Sequence, residues 1–273
     1  MLAHSPPLPL VIDYEYLLDD DDDDDDLLEE EDAEEGIILA LEQRERVRYI
    51  KLSITGLNLQ KLILAIDEEY PTLEYLILEP EDGDNTFPIL PKTFQAPHLR
   101  HLALFGVTLP IESRLLVTAV GLVTLFLDEV HPFDVQPAVL LRWLSFLPQL
   151  ENLIYLSLPA PNRDAERRLI QRPVTTHISL PNLRSLTVEG VSSYLEALFR
   201  RITTPRLEKL RIDFLEQRTY SVPRLPQFIG TTEIFRFDCA QFEFYDGRVF
   251  VRVYPVEAET AVLIISVMCW HLD

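Results

Sequence analysis

The chain predicts an α/β solenoid, with parallel strands on a concave wall, helices on the convex wall and a β-hairpin at the C-terminal end. Three observations predict it. A short apolar phrase, Leu-x-x-Leu-x-Leu, recurs down most of the 273 residues. Its copies follow one another at a nearly regular step. A proline stands just before most of them. The phrase reads Leu73-Glu-Tyr-Leu76-Ile-Leu78, Leu99-Arg-His-Leu102-Ala-Leu104 and Leu122-Val-Thr-Leu125-Phe-Leu127. It returns as Leu183-Arg-Ser-Leu186-Thr-Val188 and Leu207-Glu-Lys-Leu210-Arg-Ile212, with looser copies from Val47, Leu150 and Ile234. The mean step is about 27 residues, inside the range of leucine-rich repeats.

Strand geometry explains why such copies stack. The last two apolar positions of the phrase lie two apart and face one side of a strand, while the residues around them face the other. One unit cannot bury its own apolar face, whereas a row of units buries it continuously.

Taken in order, residues 1–18 hold Leu8-Pro-Leu-Val-Ile-Asp13, read as an edge strand that opens the solenoid. Residues 19–35 begin with the unbroken octa-aspartate Asp19 to Asp26 and are read as an acidic, disordered, solvated loop, because adjacent like charges repel and resist burial. Calcium capture is not expected there, since the run lacks the Gly or Asn turns that converge oxygens on one ion. Residues 36–240 carry the repeats. Helices are expected over Ile37 to Arg46, Asn58 to Glu69, Ile111 to Ala119, Pro137 to Phe146, Asp164 to Gln171 and Ser192 to Ile202. Pro71, Pro97, Pro148, Pro181 and Pro205 are read as hinges between helix and strand, because proline cannot continue a helix. Residues 241–273 alternate apolar and polar around Asp246-Gly247, a hairpin signal, and end in the strand-like run Ala261 to Cys269.

Composition limits the partners. The net charge of −21 is concentrated: sixteen acids and no base fall between Asp13 and Glu35, and the first arginine is Arg44. Phosphate binding needs a basic face, so nucleic acid is not expected. No apolar run reaches the ~18 residues of a membrane span, and the start lacks the features of a signal peptide. The two cysteines, Cys239 and Cys269, lie in apolar runs and are read as buried free thiols of a reducing, intracellular compartment, cytoplasmic or nuclear. Trp143 is read as helix core.

No catalytic, cofactor or metal residue is nominated. The eight glycines are scattered without a phosphate loop, and there is neither a Gly-x-Ser-x-Gly elbow nor a His-Glu-x-x-His helix. His98 and His101, three apart across a strand, face opposite ways. The expectation is a non-enzyme that binds an unidentified protein target on its concave face. The outward strand positions nominated for that face are Tyr75, Ile77, His101, Phe105, Thr124, Phe126, Asp128, Thr187, Lys209, Arg211 and Arg236. Aromatics on such a face either anchor a partner or pack against neighbouring strands.

The phrases Ala96-Pro-His-Leu-Arg-His-Leu-Ala-Leu104, Leu180-Pro-Asn-Leu-Arg-Ser-Leu186 and Ile202-Thr-Thr-Pro-Arg-Leu-Glu-Lys-Leu210 resemble the repeat region of the fungal F-box/leucine-rich-repeat protein family, over roughly Ser5 to Asp273. That resemblance implies the target-binding part of a substrate receptor of a cullin-type ubiquitin ligase. It does not extend to the F-box. Only Leu8-Pro9 echoes that module, and the acidic run that follows cannot build its amphipathic helices. Binding of the ligase adaptor is therefore carried over to no residue. The alternative expectation is a shortened paralogue, or gene-model fragment, that acts as a stand-alone scaffold.

Overall fold

The computed structural model describes residues 8–15, 26–81, 87–129, 136–156, 177–215, 221–230, 239–245, 248–255 and 262–268. Over the described residues it is an α/β protein whose strands are mostly parallel. The chain divides into two compact units, Met1–Leu122 and Val123–Asp273.

The first unit contains β1 (Leu10–Glu15), α1 (Asp26–Leu41), β2 (Val47–Thr55), α2 (Gly56–Ala65), β3 (Tyr75–Glu81), β4 (His101–Phe105) and α3 (Arg114–Thr118). Its four strands lie parallel in chain order, with β1 on the edge. Ile50, Leu76 and Leu102 fall in one row and Leu52, Leu78 and Leu104 in the next, all fully or almost fully buried. Rows of matching leucines follow from parallel register, because equal repeats put equal positions side by side.

The acidic segment departs from expectation. The loop assigned to residues 19–35 gives way to α1 at Asp26, so its second half is helical and the helix stops at Leu41 instead of Arg46. Glu, Leu and Ala are good helix formers, and acids near a helix N-terminus are favoured by its dipole. Helix α2 also shifts, ending at Ala65 instead of Glu69. The residues after it are needed elsewhere: Glu69 bridges to Gln95, and the Tyr70 N–H donates to the Gln95 carbonyl at 2.9 Å. The buried Tyr70 hydroxyl donates to the carbonyl of Leu41, at the end of α1, at 2.9 Å. Burial raises this phenol to about 12, so it stays a donor.

The second unit contains β5 (Thr124–Asp128), α4 (Pro137–Leu144), β6 (Asn152–Leu156), β7 (Ile178–Ser179), β8 (Ser185–Gly190), α5 (Ser192–Phe199), β9 (Ile202–Thr203) and β10 (Lys209–Phe214). It ends with α6 (Leu225–Gly230), β11 (Cys239–Tyr245), β12 (Arg248–Tyr254) and β13 (Leu263–Met268). Its large sheet runs β5-β6-β8-β10-β13-β12-β11, and β7 pairs separately with β9. The first five strands of that order are parallel, while β12 is antiparallel to both β13 and β11. Leu125, Leu153, Leu186, Leu210 and Leu263 form one buried row. Trp143 is buried in α4, as its apolar surroundings predict.

Two expectations fail at the end of the chain. The place beside β10, expected for the copy beginning at Ile234, is taken by β13, with Leu210 opposite Leu263 and Ile212 opposite Ile265. The chain passes β10, makes β11 and β12, and returns with its last strand against the repeats. Leu263, Ile265 and Val267 alternate with period two just as a repeat strand does, which lets them compete for that place. The predicted burial of Cys239 also fails, since it is exposed on the edge strand β11. Cys269 and the helix expected over Asp164 to Gln171 lie outside the described residues.

The prolines do something more specific than separate helix from strand. The N–H groups of Leu73, Leu99, Leu150, Leu183 and Leu207 donate to the carbonyls of Tyr70, Ala96, Leu147, Leu180 and Thr204, three residues back. Each acceptor directly precedes a proline, so the proline sits second in a β-turn, where its fixed φ fits and no N–H is needed. The residue after each proline ties one turn to its neighbour. In the first unit His98 contacts the Pro71 carbonyl; in the second, Asn182 donates to the Pro148 carbonyl at 3.0 Å and accepts from Arg206 at 3.3 Å. At the exits of β4 and β5, Gly106 and Glu129 both take positive φ, near 54° and 52°. A Cβ on Gly106 would come within 3.1 Å of the Pro80 ring.

Candidate functional site

In the repeat strands β3, β4, β5, β6 and β8, alternation leaves one sheet face buried and the other part-exposed. On the first unit's open face, register aligns three levels. Val11, Tyr49, Tyr75 and His101 form the first; Asp13, Lys51, Ile77 and Ala103 the second; Glu15, Ser53 and Glu79 belong to the third. Phe105 follows Leu104 at the end of β4, two residues beyond Ala103 on the same face.

The first level is an aromatic ladder. Tyr49 and Tyr75 lie 5.8 Å apart between centroids, and Tyr75 stacks on His101 at 4.4 Å with the planes 8° apart. Burial, then the nearby Arg100, lowers the imidazole below its ordinary value, which keeps the ring neutral and suited to stacking. The third level is acidic. Lys51 pairs with Glu15 at 3.0 Å and with Asp13 at 4.0 Å, and its ammonium is raised by these carboxylates, first of all by the hydrogen bond it donates to Glu15. Glu81, at the end of β3, is raised by burial, then by Glu15 and Glu79, and its Oε2 is buried without a hydrogen-bond partner.

The second unit's open face carries Thr124, Phe126 and Asp128 on β5; Asn152, Ile154 and Leu156 on β6; and Ser185, Thr187 and Glu189 on β8. Lys209, Arg211 and Asp213 on β10 complete its parallel portion beside Ile264 and Ser266 of β13. Thr187 lies beside Arg211, and Glu189 beside Asp213. Arg211 Nε donates to Asp213 Oδ2 at 2.7 Å. Asp213 is only 8 % exposed, and its other oxygen is buried without a partner. The Glu189 carboxyl is pushed up to about 7 by burial, then by Asp213 and Asp128, against the opposing pull of Arg248 and Arg211. Burial likewise raises Asp128. These carboxylates are only partly offset by base, a state that favours a cationic neighbour.

Ten of the eleven nominated positions therefore lie on open sheet faces. Tyr75, Ile77, His101 and Phe105 belong to the first unit, and Thr124, Phe126, Asp128, Thr187, Lys209 and Arg211 to the second. Arg236 lies outside the described residues, and β13 fills the place beside β10 from which it was nominated. The nominated set omits Asp13 and Glu15, which β1 adds beside Lys51, Glu81 and Glu189, whose carboxyls burial raises, and Asp213, which is buried with one oxygen lacking a hydrogen-bond partner. Glu189 and Asp213 do occupy outward positions in their phrases. Their mutual proximity, however, depends on the register between two strands.

Among the described residues, no three His, Cys, Asp or Glu side chains are grouped as a metal site needs, and no helix is long and apolar enough to cross a membrane. No protein-family model matches the chain, and no curated protein and no solved structure is significantly similar to it.

Proposed function

We propose that this chain is a non-enzymatic protein-interaction module, a leucine-rich-repeat solenoid that holds a protein target on its open sheet faces. The observation that carries the reading is the Tyr49–Tyr75–His101 ladder on parallel strands whose other side is locked in leucine. Amphipathic aromatic side chains on a rigid support give large contact area at small entropic cost, the property of interface anchors. The carboxylates beside them fit a target with basic side chains. The resemblance of the repeat phrases supports a narrower form of this proposal, the target-binding portion of an F-box-type receptor in a cullin ubiquitin ligase.

One observation favours the alternative of a stand-alone scaffold. The Leu8-Pro9 phrase runs directly into β1, which pairs with β2, so the F-box echo here precedes a sheet strand. A tagged pull-down from source-cell extract distinguishes the readings. The receptor reading expects the ligase adaptor and cullin to be recovered with a target, and the scaffold reading expects the target alone. The joint variant Tyr75→Ala with His101→Ala is expected to lose the target while melting like the parent. Retention of every captured protein by that variant and by Phe126→Glu would sink the assignment of the open faces.

A further inference from the structure

The edge strand β11 is built differently from the other strands of the second unit's large sheet. All seven of its residues pair with β12, and among the described residues nothing pairs with its outer edge. Its buried-side positions continue the apolar rows of the repeats. Ile212, Ile265, Val251 and Phe242 share one row, and Phe214, Val267, Val249 and Phe244 the next. Burial fades along these rows, from the core residue Ile212 to Phe242, which is 62 % exposed, and Phe244, which is 78 % exposed.

Edge strands normally carry protection against pairing with another chain, such as lysine, proline or a bulge. Strand β11 reads Cys-Ala-Gln-Phe-Glu-Phe-Tyr and has none of these. Its one charge, Glu243, is engaged by Arg252 at 2.5 Å.

The same seven residues are self-complementary. Antiparallel pairing about a two-fold axis at Phe242, the central residue, sets Phe242 against its own copy. It sets Ala240 against Phe244, Gln241 against Glu243 and Cys239 against Tyr245. On the apolar side each large Phe244 then faces a small Ala240. On the other side each carboxylate faces an amide, and no like charges meet. Closed two-fold pairing of this kind uses one patch twice.

We propose that β11 is a homodimerisation edge, pairing antiparallel with β11 of a second copy in the register centred on Phe242. A seven-residue edge with its flanking aromatics is small beside the roughly 1,200 Å² that stable interfaces bury, so the dimer is concentration-dependent.

Sedimentation of the full chain across a hundred-fold concentration range is expected to show a monomer–dimer equilibrium. Phe242→Lys, which sets two ammonium groups against each other at the axis of an already exposed position, is expected to abolish the dimer with an unchanged circular dichroism spectrum. Tyr245→Cys is expected to yield a covalent dimer under mild oxidation, through Cys239 of the opposite copy, and Tyr245→Ser to yield none. A wild-type chain that stays monomeric throughout overturns the proposal, as does a dimer that survives Phe242→Lys. Absence of cross-linking in Tyr245→Cys overturns the register.

Discussion

Strand β8 and strand β11 belong to the same unit and share the same grammar, apolar residues at every second position, yet they end in opposite environments. In β8, Leu186 and Val188 are buried; in β11, Phe242 and Phe244 stand largely in solvent. The difference lies in what surrounds each strand. Strand β8 has a parallel neighbour on each side and α5 against its inner face, so close that a Cβ on Gly190 would touch Tyr194 and Leu195. Strand β11 has one neighbour. Alternation therefore specifies a face that can be buried, and the neighbours decide whether it is.

The largest effect that tests this contrast is in the core. Leu186→Ala is expected to cost about 2–5 kcal/mol, because it leaves a cavity among fixed neighbours. Phe244→Ala, measured at a concentration where the chain is monomeric, is expected to cost less than about 0.5 kcal/mol, as for other exposed sites. Urea unfolding of both variants checks the pair. Equal losses would mean that the outer rows are covered as well as the inner ones.

The next effect concerns two carboxylates on the opposite, outward side of the same sheet. Register carries one level from Glu189 through Asp213, Ser266 and Phe250 to Glu243. Glu243 has Arg252 beside it, whereas Glu189 is raised to about 7 by burial and by Asp213 and Asp128. Between the ordinary carboxyl value of 4.5 and about 7, the folded chain holds a proton on Glu189 that the unfolded chain has released. Its contribution to stability therefore falls as pH rises through that window and stays lowered above it. Glu189→Gln is expected to raise the Tm by roughly 2–4 °C at pH 8 and to leave it unchanged near pH 4. Glu243→Gln, which removes a part-exposed ion pair, is expected to lower it slightly at pH 8. Thermal melts at the two pH values check both signs.

The smallest effect is at the strand entries. Repeat strands are entered through proline turns, and Pro181→Ala is expected to cost about 0.4–1 kcal/mol through the greater freedom of the unfolded chain. A Pro181→Ala loss well above that range would mean that the turn ladder formed with Asn182 and Arg206 also depends on the proline ring.

Much of this architecture is legible in the chain because its signals are local. Leu73, Leu99, Leu150, Leu183 and Leu207 with their preceding prolines predict hinges and strand starts, and the structure finds a strand after each, entered through a β-turn. The acidic segment misleads because eight aspartates dominate it, while the glutamates and leucines behind them are helix formers that carry α1 from Asp26. The open faces are legible one strand at a time, as Tyr75 or Thr187 shows. The Tyr75–His101 stack and the closeness of Glu189 to Asp213 are not, because each joins residues more than twenty positions apart.

By itself the sequence determined the parallel α/β character, the leucine rows and the outward positions, since each follows from a period and a turn written within a few residues. The tertiary structure alone decided that β13 lies beside β10, ahead of β12 and β11. The reason is that several apolar strands of the same period compete for one open edge, and the winner is set by whole-sheet packing and chain connection. The same choice buried Asp213 beside Ser266 and left Phe242 and Phe244 on the rim.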